Sequence, residues 1–236
     1  LTQVLLITGT DTGVGKTVLT SALLAYWQTY RPQESCAIFK PIQSGQGDRE
    51  WYERTFTLAQ TPDEITPLQY EHPLAPPIAA ALAGTSVDLG KVWQTYQHLQ
   101  TRFDRIFIEG VGGLGTPLTP ELTVADLARD WRLPLVLVVP VQLGAIGQTV
   151  ANVALARQCN LDLQGLVLSC GQPRSAIEIE HLASPSLLES LTQVPVLGVL
   201  PFGPDLENPA RLAQMATELM LERLSDRLLA KCPPIR

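Results

Sequence analysis

Apolar residues along this chain fall into two alternating patterns. Six short runs are apolar at almost every position: 4–8, 37–39, 105–108, 135–139, 163–168 and 196–200. They lack the in-out alternation of a strand with one wet face, and so predict strands buried on both faces of a parallel sheet. Between them lie six longer stretches with a helical pattern: 16–30, 88–103, 124–131, 147–159, 176–192 and 209–230. Strand followed by helix in repetition predicts an α/β fold, a doubly wound, mostly parallel sheet with helices on both faces. One segment breaks the rhythm. Residues 61–87 carry Pro62, Pro67, Pro73, Pro76 and Pro77 and no strand pattern, which predicts a long irregular excursion of the functional or interface-forming kind. No internal repeat, low-complexity tract or Ser/Gly linker divides the chain. Residues 1–236 are therefore read as a single domain, long enough for one large core.

Composition narrows the function classes. Hydrophobic residues make up 45% and charged residues 17%, a globular balance and not a disordered one. The formal net charge of −6 gives no general attraction for nucleic-acid phosphate, although local donors can still bind a phosphate ligand. The apolar stretch 133–141 is interrupted by Pro134 and Pro140, and nothing approaches the ~20 residues that span a bilayer. No basic-then-apolar leader opens the sequence, so a soluble cytoplasmic protein with no nucleic-acid or membrane partner is expected. Cys36, Cys159, Cys170 and Cys232 are scattered without metal-ligand spacing and read as ordinary buried or partly buried thiols. His72, His98 and His181 lie far apart and read as surface or packing residues.

The candidate chemistry begins where the first strand ends. Gly9 to Thr17 reads GTDTGVGKT and runs straight into a helical pattern. Glycines allow a tight turn that aims backbone N–H groups inward, and the helix start adds partial positive charge. This is a phosphate loop, in which Lys16 reaches the β- and γ-phosphates and the Thr17 hydroxyl ligates Mg²⁺. It implies the P-loop NTPase version of the α/β fold. The loop is one residue longer than the common form: Gly9 lies six positions before Gly15, and Thr10 occupies the position five before.

Ligands of open α/β sheets sit beyond the carboxyl ends of the strands, and other polar residues cluster there. The second strand ends at Lys40, followed by Pro41 and Ser44-Gly45; the third ends at Glu109, followed by Gly110-Val111-Gly112-Gly113. Glu109 follows the hydrophobic run RIFI as the Mg²⁺-linked acid of P-loop enzymes does, although most of those use Asp. Asp48 reads equally as a second Mg²⁺ carboxylate and as a helix N-cap. Lys40 alone reads as a solvated strand-end lysine; beside Lys16 it becomes a second cation for a transferring phosphoryl group.

These residues resemble the dethiobiotin synthetase family. GTDTGVGKT at 9–17, KPIQSG at 40–45 and EGVGG at 109–113 match its three motifs in order and spacing, including the long phosphate loop. The similarity continues through VPVQLGAIGQT at 139–149 and LPF…ENP at 200–209. The resemblance implies an ATP-dependent, Mg²⁺-requiring ligase of biotin synthesis. Such an enzyme joins CO₂ (or bicarbonate) to 7,8-diaminopelargonic acid as a carbamate, phosphorylates it and closes a cyclic urea. Carried onto this sequence, it implies Lys16 and Lys40 as catalytic cations and Thr17, Asp48 and Glu109 as Mg²⁺ ligands. ATP would contact Gly13, Val14, Gly15, Lys16, Thr17, Val18, Glu109 and Pro201. Thr12, Ser44, Gly112, Gly147, Gln148 and Thr149 would contact substrate. The family is a homodimer that holds the substrate carboxylate at a helix N-terminus across the interface, a role that fits 147–149. Three departures stand out. Gly13 replaces an acidic residue of some members, Gly147-Gln148 replaces Asn-His, and Ser169-Cys170 replaces the Asn-Asp that reads the base. Ser and Cys offer fewer matched groups to an adenine edge.

Three competing readings use the same fold. A switch ATPase of the partition or septum-site class carries a second lysine inside the loop, whereas this loop has Lys16 alone. The stretch 209–236 lacks the basic amphipathic stripe of a membrane-targeting tail. A cobyrinate-type synthetase needs a glutaminase domain for which the chain has no room. A non-catalytic regulatory domain is opposed by the joint presence of Lys16, Thr17, Lys40 and Glu109.

Overall fold

The structure, a computed structural model, describes residues 2–224. Cys232 and the last part of the predicted helix 209–230 lie outside the described residues. A six-stranded sheet, every neighbouring pair parallel, is built from β1 (Gln3–Gly9), β2 (Cys36–Phe39), β5 (Arg105–Gly113), β6 (Pro134–Pro140), β7 (Asp162–Ser169) and β8 (Val196–Leu200), in the order β2-β5-β1-β6-β7-β8. The chain leaves β1 toward one side of the sheet and later returns to the other. The order therefore reverses at β1, and the crevice of such a sheet opens beyond its carboxyl end.

The near-continuous apolar strands are explained by burial on both faces. Leu5 and Ile7 of β1 join one core, with Leu23 and Leu24 of α1 (Lys16–Tyr30) and Leu212 and Met215 of α10 (Pro209–Thr217). Val4 and Leu6 point the other way, to Val92 and Leu99 of α5 (Leu89–Arg102) and Ala125 of α6 (Val124–Asp130). A third core joins Leu137 and Val139 of β6 to Val153 of α7 (Ala145–Gln158), Ala183 of α8 (Ala176–Ala183) and Leu188 of α9 (Pro185–Thr192). Among the described residues no helix is long and apolar enough to cross a membrane.

Several predicted boundaries move. The helix expected over 176–192 is two helices, because Pro185 forces Ser184 to φ −45°, ψ 115° and restarts the chain as α9. The helix expected from 209 ends at Thr217, after which Met220 N–H donates to the Leu197 carbonyl of β8 at 2.8 Å. α7 begins at Ala145, two residues early, behind Gly144 at φ 90°. Residues 61–87 are not the strandless excursion expected. They hold α3 (Pro62–Ile65), β4 (Leu68–Tyr70) and α4 (Pro76–Leu82), and β4 pairs in parallel with β3 (Ile42–Ser44) as a separate two-stranded sheet. Three-residue strands are too short to leave a period in the sequence. α2 (Asp48–Thr55) links β3 to this segment.

Candidate functional site

The loop between β1 and α1 lies at the switch point of the sheet. Gly15 is the N-cap of α1, with φ 101°, a left-handed conformation that L side chains rarely adopt. A Cβ there would collide with Ser169 Oγ of β7 and lie 3.1 Å from its Cβ. Gly15→Ala is therefore expected to destabilise the protein by about 1–3 kcal/mol from backbone strain alone. It should also remove the stabilisation that nucleotide confers on the wild type in thermal unfolding with and without ADP.

Lys16 opens α1 and is only 6% exposed. Its Nζ donates to the Asp11 carbonyl at 2.8 Å, which folds the side chain back over the loop. Burial first, then the neighbouring Lys40, brings its pKa down to about 8. One turn further, Thr20 Oγ1 donates to the Lys16 carbonyl at 2.9 Å and pins the first turn. Thr17 faces two carboxylates. Its Oγ1 lies 3.0 Å from Asp48 Oδ1 and 3.2 Å from Glu109 Oε1.

Lys40, at the end of β2, closes the cluster. Its Nζ is 2.6 Å from Asp48 Oδ2 and 2.7 Å from Glu109 Oε1. Burial works against this ammonium, yet Glu109 and Asp48 outweigh it and hold the pKa above the ordinary value. Burial likewise raises Glu109, helped by Asp48 and opposed by Lys40 and Tyr52, and the net direction is up. Asp48 is the reverse case: burial is overcome by Lys40 and Thr17, and its pKa falls. Glu109 lies inside β5 and not just beyond it, because the strand continues through Gly113. Its Oε2 accepts a hydrogen bond from Tyr52 OH.

Asp48 is the first residue of α2, not its N-cap, which is Gly47. Glu50 anchors that turn by accepting from Gly47 N–H at 2.8 Å, Gln69 Nε2 at 2.9 Å and Gln43 Nε2 at 3.0 Å. Burial opposes its charge, but these hydrogen bonds prevail and hold its pKa at about 2. The small β3–β4 sheet thus fixes the start of α2, and through it Asp48.

A cavity of about 750 Å³ opens over this cluster. Of the residues predicted from sequence it brings together Thr12, Gly13, Gly15, Lys16, Thr17, Val18, Lys40, Ser44, Asp48, Glu109 and Gly112, with a wall of Pro73, Leu74, Ala75 and Pro76. Ser44 Oγ is buried here without a hydrogen-bond partner among the described residues. A second cavity of about 500 Å³ lies behind the loop. Gly13, Val14, Gly15, Val18 and Pro201 line it together with Ser169, Cys170, Arg174 and Phe202. Gly147, Gln148 and Thr149 line neither of the two. Gly147 and Gln148 are exposed in the first turn of α7. Thr149 is buried, and its hydroxyl donates to the Ala145 carbonyl at 2.7 Å, so that side chain faces its own helix. The 73–76 wall lies in the proline-rich segment 61–87 expected to be functional or interface-forming, whereas Tyr52 and Arg174 escaped the sequence reading; of these two only Tyr52, one helical turn after Asp48, left a signal.

Chemically, the site offers two ammonium groups for phosphoryl charge and a set of hard oxygen donors. Among the described residues no group of three or more His, Cys, Asp or Glu side chains forms a metal cage. Two carboxylates and a hydroxyl suit Mg²⁺ instead, which binds through one or two carboxylates and takes its other ligands from water and phosphate.

Comparison with known proteins supplies the relatives. A family model described as an AAA domain matches residues 3–210. The chain is 53% identical to the ATP-dependent dethiobiotin synthetase of Crocosphaera subtropica, over 93% of this chain and 98% of that protein. It is 49% identical to that of Synechocystis, covering 94% and 95%, and 33% identical to that of Bacillus cereus strain B4264, covering 93% and 92%. Among solved structures it resembles the septum-site protein MinD of Pyrococcus horikoshii complexed with Mg-ADP, with TM-score 0.59 at 17% identity and full coverage of both chains. It also resembles a ParA family ATPase of Chlorobium tepidum, with TM-score 0.58 at 11% identity over 97% and 98% of the two chains. At such identity these likenesses establish the fold alone, that of P-loop ATPases.

Proposed function

Because the chain belongs to the ATP-dependent dethiobiotin synthetases, ligases of biotin synthesis, we propose that it makes dethiobiotin from 7,8-diaminopelargonic acid, CO₂ and Mg²⁺-ATP. In this reading one amine of the diamine adds to CO₂ and loses a proton, giving a carbamate. A carbamate oxygen attacks the γ-phosphorus, ADP leaves, and a carbamic-phosphoric anhydride forms. The second amine attacks the anhydride carbonyl, closing the urea ring and expelling phosphate.

The observation that carries this reading is the Lys40 ammonium, 2.6 Å from Asp48 and 2.7 Å from Glu109, beside the Lys16 loop. Its counter-charges fix it in position before any ligand arrives, and preorganised charge is what a developing phosphoryl transition state needs. Lys16 and the loop N–H groups would hold the phosphates. Thr17, Asp48 and Glu109 would hold Mg²⁺, which when bound draws charge from the phosphoryl oxygens. The buried Ser44 Oγ, without a hydrogen-bond partner among the described residues, and Thr12 would take the carbamate and the diamine. The nucleoside would lie in the second cavity, between Val14 and Pro201. The enzyme would act as a cytoplasmic homodimer, with the exposed N-terminus of α7 reaching the substrate carboxylate in the partner's site. Gly147 supplies a first-turn N–H for that role, whereas the N–H of Gln148 already donates to the Gly144 carbonyl at 3.1 Å.

The test is phosphate release from Mg²⁺-ATP with and without the diamine and bicarbonate, with the product identified by mass. Release that needs both and yields the cyclic urea is expected. Nucleotide binding with no diamine-dependent turnover would sink the reading.

A further inference from the structure

We infer that Tyr52 is the positioning residue for Glu109, and that its hydroxyl, by holding one carboxylate oxygen, fixes the other toward the metal site. The inference rests on the reading of Thr17, Asp48 and Glu109 as the Mg²⁺ ligands. It adds a residue that no phosphate-loop or strand-end motif contains.

Glu109 is 1% exposed and Tyr52 fully buried. A carboxylate shut away from water needs protein partners for both oxygens. Oε1 has Thr17 Oγ1 and Lys40 Nζ. Oε2 has the Tyr52 hydroxyl. The terminal torsion of a glutamate is broad and roughly two-fold, so it does little to fix the plane of the carboxylate. The Tyr52 donor removes that freedom, leaving Oε1 toward Thr17.

The placement of Tyr52 follows from α2. Asp48 begins that helix and Tyr52 lies four residues on, so the two share one face. A single helix therefore delivers one carboxylate and orients the other. Trp51 Nε1 donates to Ser21 Oγ at 3.1 Å and ties α2 to α1, the helix that carries Thr17. Tyr52 itself packs in the core with Phe56, Ile65 and the apolar face of α1. Phenylalanine preserves that packing and deletes the hydroxyl, which meets Glu109 and also Thr20 of α1.

The experiment is calorimetric titration of ADP at a series of Mg²⁺ concentrations, for wild type, Tyr52→Phe, Glu109→Gln and the double variant. Metal-site partners of this kind are worth roughly 10–100-fold in metal affinity. Tyr52→Phe is expected to raise the Mg²⁺ concentration at half effect by at least about tenfold, with ADP affinity in the absence of Mg²⁺ unchanged. In the Glu109→Gln background, adding Tyr52→Phe is expected to change the Mg²⁺ dependence no further. A loss of packing would lower ADP affinity with or without the metal and would persist in both backgrounds. An unaltered Mg²⁺ dependence in Tyr52→Phe, or an undiminished effect beside Glu109→Gln, would overturn the inference. So would wild-type ADP binding that ignores Mg²⁺, since it removes the metal reading. No diamine is present, so a failure of the proposed ligase reaction leaves this result standing.

Discussion

Lys40→Met is expected to lower diamine-dependent turnover by about 10²–10³-fold, the usual cost of removing one preorganised donor from a charge-stabilising site. Lys40 is 3% exposed and contacts both Asp48 and Glu109. Methionine keeps the length and apolar stem but leaves two carboxylates facing each other without their cation, and like charges in one buried site cannot both stay ionised. The loss should therefore fall on kcat and on Mg²⁺ dependence, while ADP affinity, carried by the loop, changes less than about tenfold. Arginine should not rescue it, since a planar fork cannot take the place of a point charge held between two carboxylates. Single-turnover rates of phosphate release at saturating Mg²⁺-ATP and diamine decide the matter. A rate within tenfold of wild type would mean that Lys40 only neutralises its neighbours.

How much of this was legible beforehand differs by residue, and the differences have physical causes. The main sheet was legible because strands buried on both faces, such as β1 with Leu5 and Ile7 on one side and Val4 and Leu6 on the other, write an unbroken apolar run. The phosphate loop and the gathering of Lys40 and Glu109 near Lys16 were legible because parallel strands bring their carboxyl ends toward one edge of the sheet, although the ion pair of Lys40 with Glu109 was not read. Asp48 sits beyond a strand end, and its position depends on Glu50 gathering Gly47, Gln43 and Gln69. No local pattern announces such a junction. Tyr52 was overlooked despite its spacing from Asp48, because its partner lies 57 residues away in the sequence and an aromatic in a short helix reads as core. The break at Ser184 could have been read from Pro185, but the apolar periodicity continues across it. The α7 start was missed because Gly144, the real cap, looks like loop.

Lys16→Ala is expected to cost more than any other single change, with kcat/KM for ATP lowered by at least about 10³-fold and ADP affinity lowered as well. In the proposed reaction Lys40 would serve the transferring group alone, whereas Lys16 would stand at the loop that holds the phosphates throughout. Its loss therefore removes ground-state binding in addition to transition-state charge. The surroundings of the two lysines support this division. Among the described residues Lys16 makes no ion pair: its Nζ rests on the Asp11 carbonyl, and burial and Lys40 outweigh the attraction of Glu109, Asp48 and Asp11 and bring its pKa down to about 8. An ammonium kept from water, pressed by a second cation and hydrogen-bonded to a neutral acceptor, gains most when an anion arrives. The two lysines are thus tuned to different tasks by their partners, one balanced in advance and one left to be balanced by the nucleotide. Titration of ADP into Lys16→Ala and Lys40→Met separates them: affinity should fall steeply in the first and little in the second. Equal losses in both would mean that the division of labour is wrong, even if both variants are inactive.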